Sequence, residues 1–163
     1  MRGKNSQTTT EFIIREFVSS PRDAEAASEI LRGGDGAAPW SARILLAGLG
    51  PKTWAYLSER GGEPTGFIIG RQVGPEEGEV LNLAVRKVCR RQGEGSALVH
   101  RLLDEFRRQE VQRAFLEVRE SNLGARAFYE HLGFRVAGRR EHYYQEPTET
   151  AIVMEMALRN STI

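Results

Sequence analysis

A glycine-rich segment offers the clearest chemistry in this sequence. It runs from Arg90 to Ser96 with the letters RRQGEGS, and it joins a predicted strand to an amphipathic helix. Glycines let the backbone approach a ligand and point several N–H groups the same way, and the helix N-terminus adds a partial positive charge. Such a turn can hold a pyrophosphate, to which Arg90 and Arg91 would add positive charge. The glycines alone favour an ordinary connection with two solvated arginines, and the sequence has neither a P-loop nor a complete dinucleotide fingerprint.

Two further residues could move protons. Glu117 interrupts an otherwise apolar strand, 114–118, and with alternating side chains it shares a face with Phe115 and Arg119. Burying a carboxylate is costly without a partner, so Glu117 is either ion-paired with Arg119 or a general base in a cleft. Tyr129 lies on the apolar stripe of the next helix, where most tyrosines pack and their hydroxyl finds a partner. Spacing alone leaves these interpretations open.

The candidate ligands for a metal ion are few. His100, His131 and His142 lack metal-ligand spacing and a shared element, so we expect them at the surface and predict no metal site. Cys89 is the only cysteine, which excludes an internal disulfide. Its place beside the glycine segment fits a structural role.

Hydrophobic periodicity places these residues on a mixed α/β fold. Apolar residues recur with a helical period after residue 94, whereas the strand segments between 53 and 85 have a period of two. The predicted strands are 12–18, 53–59, 65–73, 79–85, 114–118, 134–141 and 150–158. The predicted helices are 21–31, 44–49, one that starts at 94, and 122–132. We therefore expect a single mixed central sheet of about six to seven strands, antiparallel and then parallel, flanked by about four helices.

Length and composition limit the possible functions. The 163 residues are 40% hydrophobic and 28% charged, which is typical of one soluble domain. We predict a disordered tail at 1–10, one domain at 11–159 and a polar end at 160–163. A net charge of +1 argues against a nucleic-acid-binding surface. No apolar run approaches the roughly 20 residues of a membrane span, and the start has no apolar signal segment, so we expect a cytoplasmic protein.

Several motifs together resemble those of the GNAT acyltransferase superfamily. The first is R-x-x-G-x-G, formed by Arg90, Gly93 and Gly95 after a strand that ends at Val85. The others are LEVRESN at 116–122, AFYEHLGF at 127–134, PWS at 39–41, YY at 143–144 and AIVM at 151–154. The combination is similar to one branch of the superfamily, the bacterial ribosomal-protein-alanine N-acetyltransferases. The resemblance is dense from about residue 79 to residue 157 and thin before Pro39.

The resemblance implies acetyl-CoA as co-substrate, bound around the glycine segment. In the family, the preceding strand lends its backbone to the pantetheine arm, and the turn holds the pyrophosphate. The implied cofactor-binding residues are Leu83, Ala84, Val85, Arg90, Arg91, Gly93, Gly95, Ser96, Ala97 and, on the cofactor arm, Asn122. Glu94 departs from the family pattern, because it replaces the usual aliphatic side chain between the two glycines. A carboxylate is unfavourable near a pyrophosphate unless it points to solvent or pairs with a neighbouring arginine.

The resemblance also implies catalytic roles for Glu117 and Tyr129. Glu117 would be the general base toward an amine, and Tyr129 would donate a proton or a hydrogen bond to the leaving thiolate. The amine would attack the acetyl thioester directly, without a covalent enzyme intermediate. Trp40, Tyr143 and Tyr144 would wall the acceptor groove, although packing at an edge explains each of them equally well.

The branch of the family favours a protein N-terminal α-amine as acceptor, with a ribosomal protein as a candidate. An α-amine has a pKa of about 7.7–8.0, so about a quarter of it is neutral near pH 7.4, against about 0.1% of a lysine side chain. Two alternatives stay open: acetylation of a small-molecule amine or a lysine in the same fold, and a non-catalytic acyl-CoA-binding module. We expect a monomer or weak dimer with no nucleic-acid or membrane partner.

Overall fold

In the computed structural model, which describes residues 11–158, seven strands form one sheet with four α-helices around it. The elements are β1 (Ile13–Glu16), α1 (Pro21–Arg32), α2 (Ala42–Leu46), β2 (Thr53–Arg60), β3 (Glu63–Gln72), β4 (Glu77–Val85), α3 (Glu94–Arg108), β5 (Arg113–Arg119), α4 (Leu123–Leu132), β6 (Arg135–Tyr144) and β7 (Glu149–Ala157). A 3₁₀ turn at Lys87–Cys89, which the sequence did not predict, precedes α3. The predicted tail at 1–10 and polar end at 160–163 lie outside the described residues.

The predicted order of strands and helices is confirmed, and so is the mixed α/β fold class. The clearest difference in position is α2, predicted at 44–49 but formed at Ala42–Leu46. Its start is set by Ser41, whose Oγ accepts a hydrogen bond from the Ile44 N–H at 3.4 Å. Gly48, with a positive φ, follows its end. The last apolar residues of the predicted segment therefore lie in the connection to β2.

The sheet contains one parallel pair of strands. The strand order is β1-β2-β3-β4-β5-β7-β6, and every neighbouring pair is antiparallel except β4 and β5. Those two strands pair only through residues 77–79 and 113–115. Beyond Glu79 they separate, although β4 continues to Val85 and β5 to Arg119. The sheet is therefore open in its middle.

Two apolar clusters pack on opposite faces of the sheet. Along β3, Ile68 belongs to the cluster under α3, whereas Phe67 and Ile69 belong to the cluster under α1 and α2. The apolar stripe predicted on α3 is confirmed by five buried residues, Leu98, Val99, Leu102, Leu103 and Phe106. No helix within residues 11–158 has the length and apolarity that crossing a bilayer requires.

A β-bulge in β4 changes which face its side chains take. Ile69 of β3 lies opposite Asn82, but the next residue, Gly70, lies opposite Val80, so Leu81 is an extra residue. As a result Val80 is buried in the cluster under α3 and Ala84 in the cluster under α1, although their spacing is even. A bulge also bends its strand. It lies directly after the last position at which β4 pairs with β5.

The continuous apolar run at 114–118 is typical of a central strand covered on both faces, and this prediction is wrong: β5 is covered on one face only. Ala114, Leu116 and Val118 are buried, but the alternating residues Phe115, Glu117 and Arg119 are only partly buried. The physical reason is that α1 packs on β3 and β4 and α2 packs on α1, so neither helix covers the far half of the sheet. Glu117 therefore lies on an open face beside the gap between the strands.

Candidate active site

A cavity of about 240 Å³ occupies the gap between β4 and β5. Its walls are residues 79–83 of β4, 116–119 of β5, Asn122, Ala125 and Tyr129 at α4, Tyr143 and Tyr144 at the end of β6, and the loop 35–38. Both residues predicted to move protons, Glu117 and Tyr129, therefore line one cavity. Tyr143 and Tyr144, predicted for the acceptor groove, line it as well.

The carboxylate of Glu117 is mostly buried and binds two groups of β6. Its Oε1 lies 2.9 Å from Nη1 of Arg140, and the hydroxyl of Tyr143 donates a hydrogen bond to it. That hydrogen bond is the main reason why the pKa of Tyr143 is raised above its ordinary value. The alternative in which Glu117 pairs with Arg119 is wrong, because Arg119 reaches Glu149 of β7 at 3.3 Å instead. Glu117 thus faces the cavity with two donors at its carboxylate.

Tyr129 is buried among aromatic rings at the other side of the cavity. Phe128 and Phe134 contact its ring edge-to-face, at centroid distances of 5.0 and 5.5 Å. Within residues 11–158 no group hydrogen-bonds to its hydroxyl, which departs from the usual behaviour of a packing tyrosine. Burial raises the pKa of Tyr129 above its ordinary value, because the phenolate would lose its hydration. The hydroxyl is therefore a protonated donor at neutral pH.

The glycine turn meets α3 with its N–H groups uncapped. Gly93 is left-handed, with φ 89°, and α3 begins at the next residue. No side chain of the described residues caps this helix end. A Cβ at Gly95 would lie 3.4 Å from the ring of Phe128, so the turn is packed closely against α4. This geometry suits an anion at the helix N-terminus.

Arg90 and Asn122 hold the loop between α1 and α2 across the cavity. The three guanidinium nitrogens of Arg90 donate to the carbonyl of Val85 at 3.0 Å, to Asp35 at 2.8 Å and to the carbonyl of Gly33 at 3.0 Å. Asn122 caps α4 and donates to the carbonyl of Asp35 at 3.3 Å. Their predicted contacts with a cofactor stay predictions, and in the structure both side chains position this loop.

Of the two orientations that the sequence left open for Glu94, solvent and pairing with an arginine, the structure shows the second. Glu94 is 1% exposed, so it does not point to solvent, and its arginine partner does not come from its own turn. Instead its carboxylate accepts hydrogen bonds from Ser58 and Thr65, at 2.8 and 2.7 Å, and forms an ion pair with Arg60. These partners belong to the β2–β3 hairpin. The charge of Glu94 is therefore directed into the hairpin and matched there by an arginine.

The predicted residues of β4 and the predicted aromatic residues divide between the cavity and the core, whereas Arg91 is exposed and Ser96 and Ala97 are partly buried at the start of α3. Of the three β4 residues, Leu83 lines the cavity, Ala84 is buried under α1, and Val85 packs against the cluster under α3. The tyrosine pair at the end of β6 is in edge-to-face contact, and burial with the nearby charge of Glu117 raises the pKa of Tyr144 to about 12. Trp40 does not line the cavity, since it packs against the cluster under α1 and α2.

Sequence reasoning missed two charged residues of this site. Glu79, paired with Arg71 at 3.0 Å, lines the cavity from β4 and contributes to the raised pKa of Tyr143. Arg140 reaches Glu117 from β6. Neither residue could be assigned to the site from local sequence patterns, because strands that are distant in sequence bring them there. Only the strand order shows that they lie near Glu117. The result is a cavity with two carboxylates at one end.

Comparison with known proteins agrees with this geometry. Residues 26–134 match the sequence profile of the acetyltransferase (GNAT) family. The ribosomal protein bS18-alanine N-acetyltransferase of Escherichia coli K12 is 36% identical over 122 residues, which cover 74% of this chain and 82% of that protein. The crystal structure of the ribosomal-protein-S18-alanine N-acetyltransferase from Escherichia coli superposes with a TM-score of 0.78 at 31% identity, covering 94% of this chain and 99% of that one.

Two further crystal structures superpose over nearly the whole domain. Ard1 from Thermoplasma volcanium has a TM-score of 0.79 at 28% identity, over 91% of this chain and 98% of its own. A GNAT family acetyltransferase from Elizabethkingia anophelis, solved with acetyl-CoA bound, shares the fold with a TM-score of 0.74 at 19% identity, over 90% of this chain and 98% of its own. Since the family profile spans most of the chain and its relatives are N-acetyltransferases, this protein is an acetyltransferase that belongs to the GNAT family.

Proposed function

We propose that the protein transfers the acetyl group of acetyl-CoA to the N-terminal α-amine of a protein, with a ribosomal protein as candidate acceptor. The observation that supports this most directly is the shared cavity of Glu117 and Tyr129, a carboxylate and an unpaired hydroxyl between two separated strands. The names of the relatives support the choice of acceptor class.

The residues around the glycine turn suit the co-substrate. The uncapped N-terminus of α3 and the left-handed Gly93 offer backbone N–H groups to a pyrophosphate. The edge of residues 83–85 that faces β5 has no strand partner within residues 11–158, and can pair with an extended amide-containing arm. Acetyl-CoA supplies the acetyl thioester as the acyl donor.

In this proposal Glu117 and Tyr129 divide the proton chemistry. Glu117 accepts the proton that the amine loses as it attacks the thioester carbon. Tyr129 donates a hydrogen bond to the sulfur as the carbon–sulfur bond breaks. A phenol with a pKa raised above its ordinary value is a weak acid toward a thiolate whose conjugate acid has a pKa near about 8.5. Tyr129 therefore acts mainly by stabilising negative charge on sulfur rather than by completing proton transfer.

The acidic end of the cavity suits a cationic acceptor. Glu79 and Glu117 provide the negative charge, and the hydroxyl of Tyr143 provides a polar contact. Arg140 also binds Glu117, but more than half of the Arg140 side chain is exposed, whereas Glu117 is mostly buried. The guanidinium group can therefore move into solvent when an ammonium group takes its place at the carboxylate.

A panel of acceptors tests the substrate class. The purified protein would be incubated with acetyl-CoA and peptides that carry free Ala, Ser or Met N-termini, with N-terminally blocked lysine peptides, and with polyamines. Mass spectrometry would locate the acetyl group. We expect modification of the α-amine alone. Acetyl groups on lysine or polyamine would contradict the acceptor class, and acetyl-CoA binding without transfer to any acceptor would favour an acyl-CoA-binding module.

The role of Glu117 is tested against a matched neighbour. Glu120 also pairs with an arginine of β6, Arg139, but it does not line the cavity. Glu117→Gln should lower kcat by about 10²–10⁴-fold, the usual value of a general base, and leave the Kd of acetyl-CoA unchanged. Glu120→Gln should leave both unchanged. Equal effects of the two variants would show that Glu117 has only an ion-pairing role.

A further inference from the structure

Glu94 is an acidic residue of the glycine turn whose carboxylate is buried. It is the first residue of α3 and stands between Gly93 and Gly95, yet its side chain is fully buried. A buried carboxylate is costly unless several groups compensate it. Here Ser58, Thr65 and Arg60 do so.

The three partners of Glu94, namely Ser58, Arg60 and Thr65, form a cluster on the β2–β3 hairpin that we call the platform. Ser58 and Thr65 lie on adjacent strands of the β2–β3 hairpin, and their hydroxyl oxygens are 3.3 Å apart. Ser58 and Thr65 are buried, and the side chain of Arg60 is 13% exposed. An aliphatic side chain at position 94 could fill the same space, but it could not be held by directional bonds. The carboxylate thus fixes the orientation of the turn as well as its position.

The hydrogen bonds of Glu94 join the turn to the hairpin. Gly95 lies next to the ring of Phe128, which a Cβ at that position would meet at 3.4 Å. The ion pair with Arg60 also matches the negative charge that Glu94 would otherwise present near a bound anion. Both effects favour anion binding at the first N–H groups of α3.

We propose that Glu94 is a positioning residue for the pyrophosphate of acetyl-CoA: by binding Ser58, Thr65 and Arg60 it fixes the backbone N–H groups of the glycine turn on the β2–β3 hairpin. The inference rests on the proposed use of acetyl-CoA and adds a determinant of its affinity. Glu94 itself does not contact the ligand. Its carboxylate acts through the backbone of Gly93 and Gly95.

The experiment compares two acyl donors that differ in the pyrophosphate. Acetyl-CoA contains it, whereas S-acetylpantetheine has the same thioester and lacks it. Replacing Glu94 with leucine should raise the KM for acetyl-CoA by about 10- to 100-fold, the value of one hydrogen bond to a charged group. Turnover with S-acetylpantetheine should stay within about twofold of the wild type, since the thioester end is untouched. A merely structural role would affect both donors alike.

Three further variants keep the inference testable if the leucine variant folds poorly. Glu94→Gln keeps an acceptor oxygen and should have a smaller effect in the same direction. Thr65→Val removes one donor without touching the turn, and its effect on the KM for acetyl-CoA should be less than additive with that of Glu94→Gln. Val99→Ala, a buried change further along α3, is the control for general destabilisation and should leave the KM for acetyl-CoA unchanged.

The outcomes separate the inference from the function on which it rests. If the Glu94 variants bind acetyl-CoA as tightly as the wild type or more tightly, the positioning role is wrong while the proposed function stands. Additive effects of Thr65→Val and Glu94→Gln would likewise exclude the shared platform. If the wild-type protein itself neither binds acetyl-CoA nor uses it as a donor, both the proposed function and the inference are wrong.

Discussion

Replacing Tyr129 with phenylalanine should remove activity and leave the fold intact. The change deletes one hydroxyl that has no hydrogen-bond partner within residues 11–158. The ring keeps its edge-to-face contacts with Phe128 and Phe134. The perturbation is therefore confined to the group that lines the cavity.

We expect Tyr129→Phe to have a small effect on stability and a large effect on turnover. Tyrosine-to-phenylalanine changes usually lose a hydrogen bond worth about 0.5–1.5 kcal/mol, but Tyr129 has none to lose to the described residues. The free energy of unfolding should therefore change by less than about 0.5 kcal/mol. A donor that stabilises developing negative charge contributes about 10²–10³-fold to kcat. The KM for acetyl-CoA should change little.

The pH dependence of stability gives a second test of the same residue. Because the folded pKa of Tyr129 is raised above about 10, the stabilisation linked to its protonation is complete below pH 10. It is lost as the pH rises above about 10 toward the folded pKa, since the unfolded chain then releases the proton first. The loss is at most about 1.4 kcal/mol per pH unit. Tyr129→Phe should show a correspondingly shallower loss of stability between pH 10 and 11.

Steady-state kinetics and urea unfolding would measure both effects. Tyr56→Phe is the matched control, because Tyr56 is 1% exposed, its pKa is also raised by burial, and it lies in the core outside the cavity. That variant should keep its kcat. If Tyr129→Phe keeps full turnover, Tyr129 only packs. If it loses turnover and several kcal/mol of stability together, the decrease in rate reports damage to the fold.

Two other substitutions test the architecture of the site. Asn122→Ala should destabilise by about 1 kcal/mol through loss of the α4 cap and should increase hydrogen exchange near Asp35, and unchanged exchange would contradict the contact between them. Gly78→Ala should cost about 1–3 kcal/mol in urea unfolding, because the new methyl would lie 2.7 Å from the ring of Phe106. Gly124→Ala, with nothing within 4 Å, is its control and should be neutral or stabilising.

The sequence predicted the elements and pointed to Glu117 and Tyr129 as candidates for proton transfer because each has a local signature. The stripe of α3 repeats with a helical period, and a carboxylate inside an apolar strand draws attention to Glu117 in any fold. The partner of Glu117 has no such signature. Arg119 is its nearest arginine along the chain, but Arg140 and Arg119 both lie opposite Ala151 in the β6–β7–β5 ladder. The register of three strands therefore brings Arg140 level with Arg119, and Arg140 takes the carboxylate while Arg119 pairs with Glu149.

Glu94 shows the same limit more clearly. The sequence leaves two possibilities for its carboxylate, solvent or a neighbouring arginine, and does not say which arginine. Its actual partners lie about 30 residues earlier, on the hairpin against which α3 packs. The departure from the family pattern draws attention to Glu94. Its effect could be judged only from the tertiary structure.

The register of the sheet also explains why an extended ligand suits this cavity. Backbone N–H and C=O groups in a protein interior are nearly always hydrogen-bonded. Residues 80 and 82–85 pair with β3 along one edge, and Leu81 is bulged out of that ladder. Along the other edge, pairing with β5 ends at Glu79. Their other edge faces the cavity without a strand partner among residues 11–158. The amide groups of a pantetheine arm can supply those partners, so we expect the interrupted pairing of β4, rather than any single side chain, to determine where the co-substrate lies.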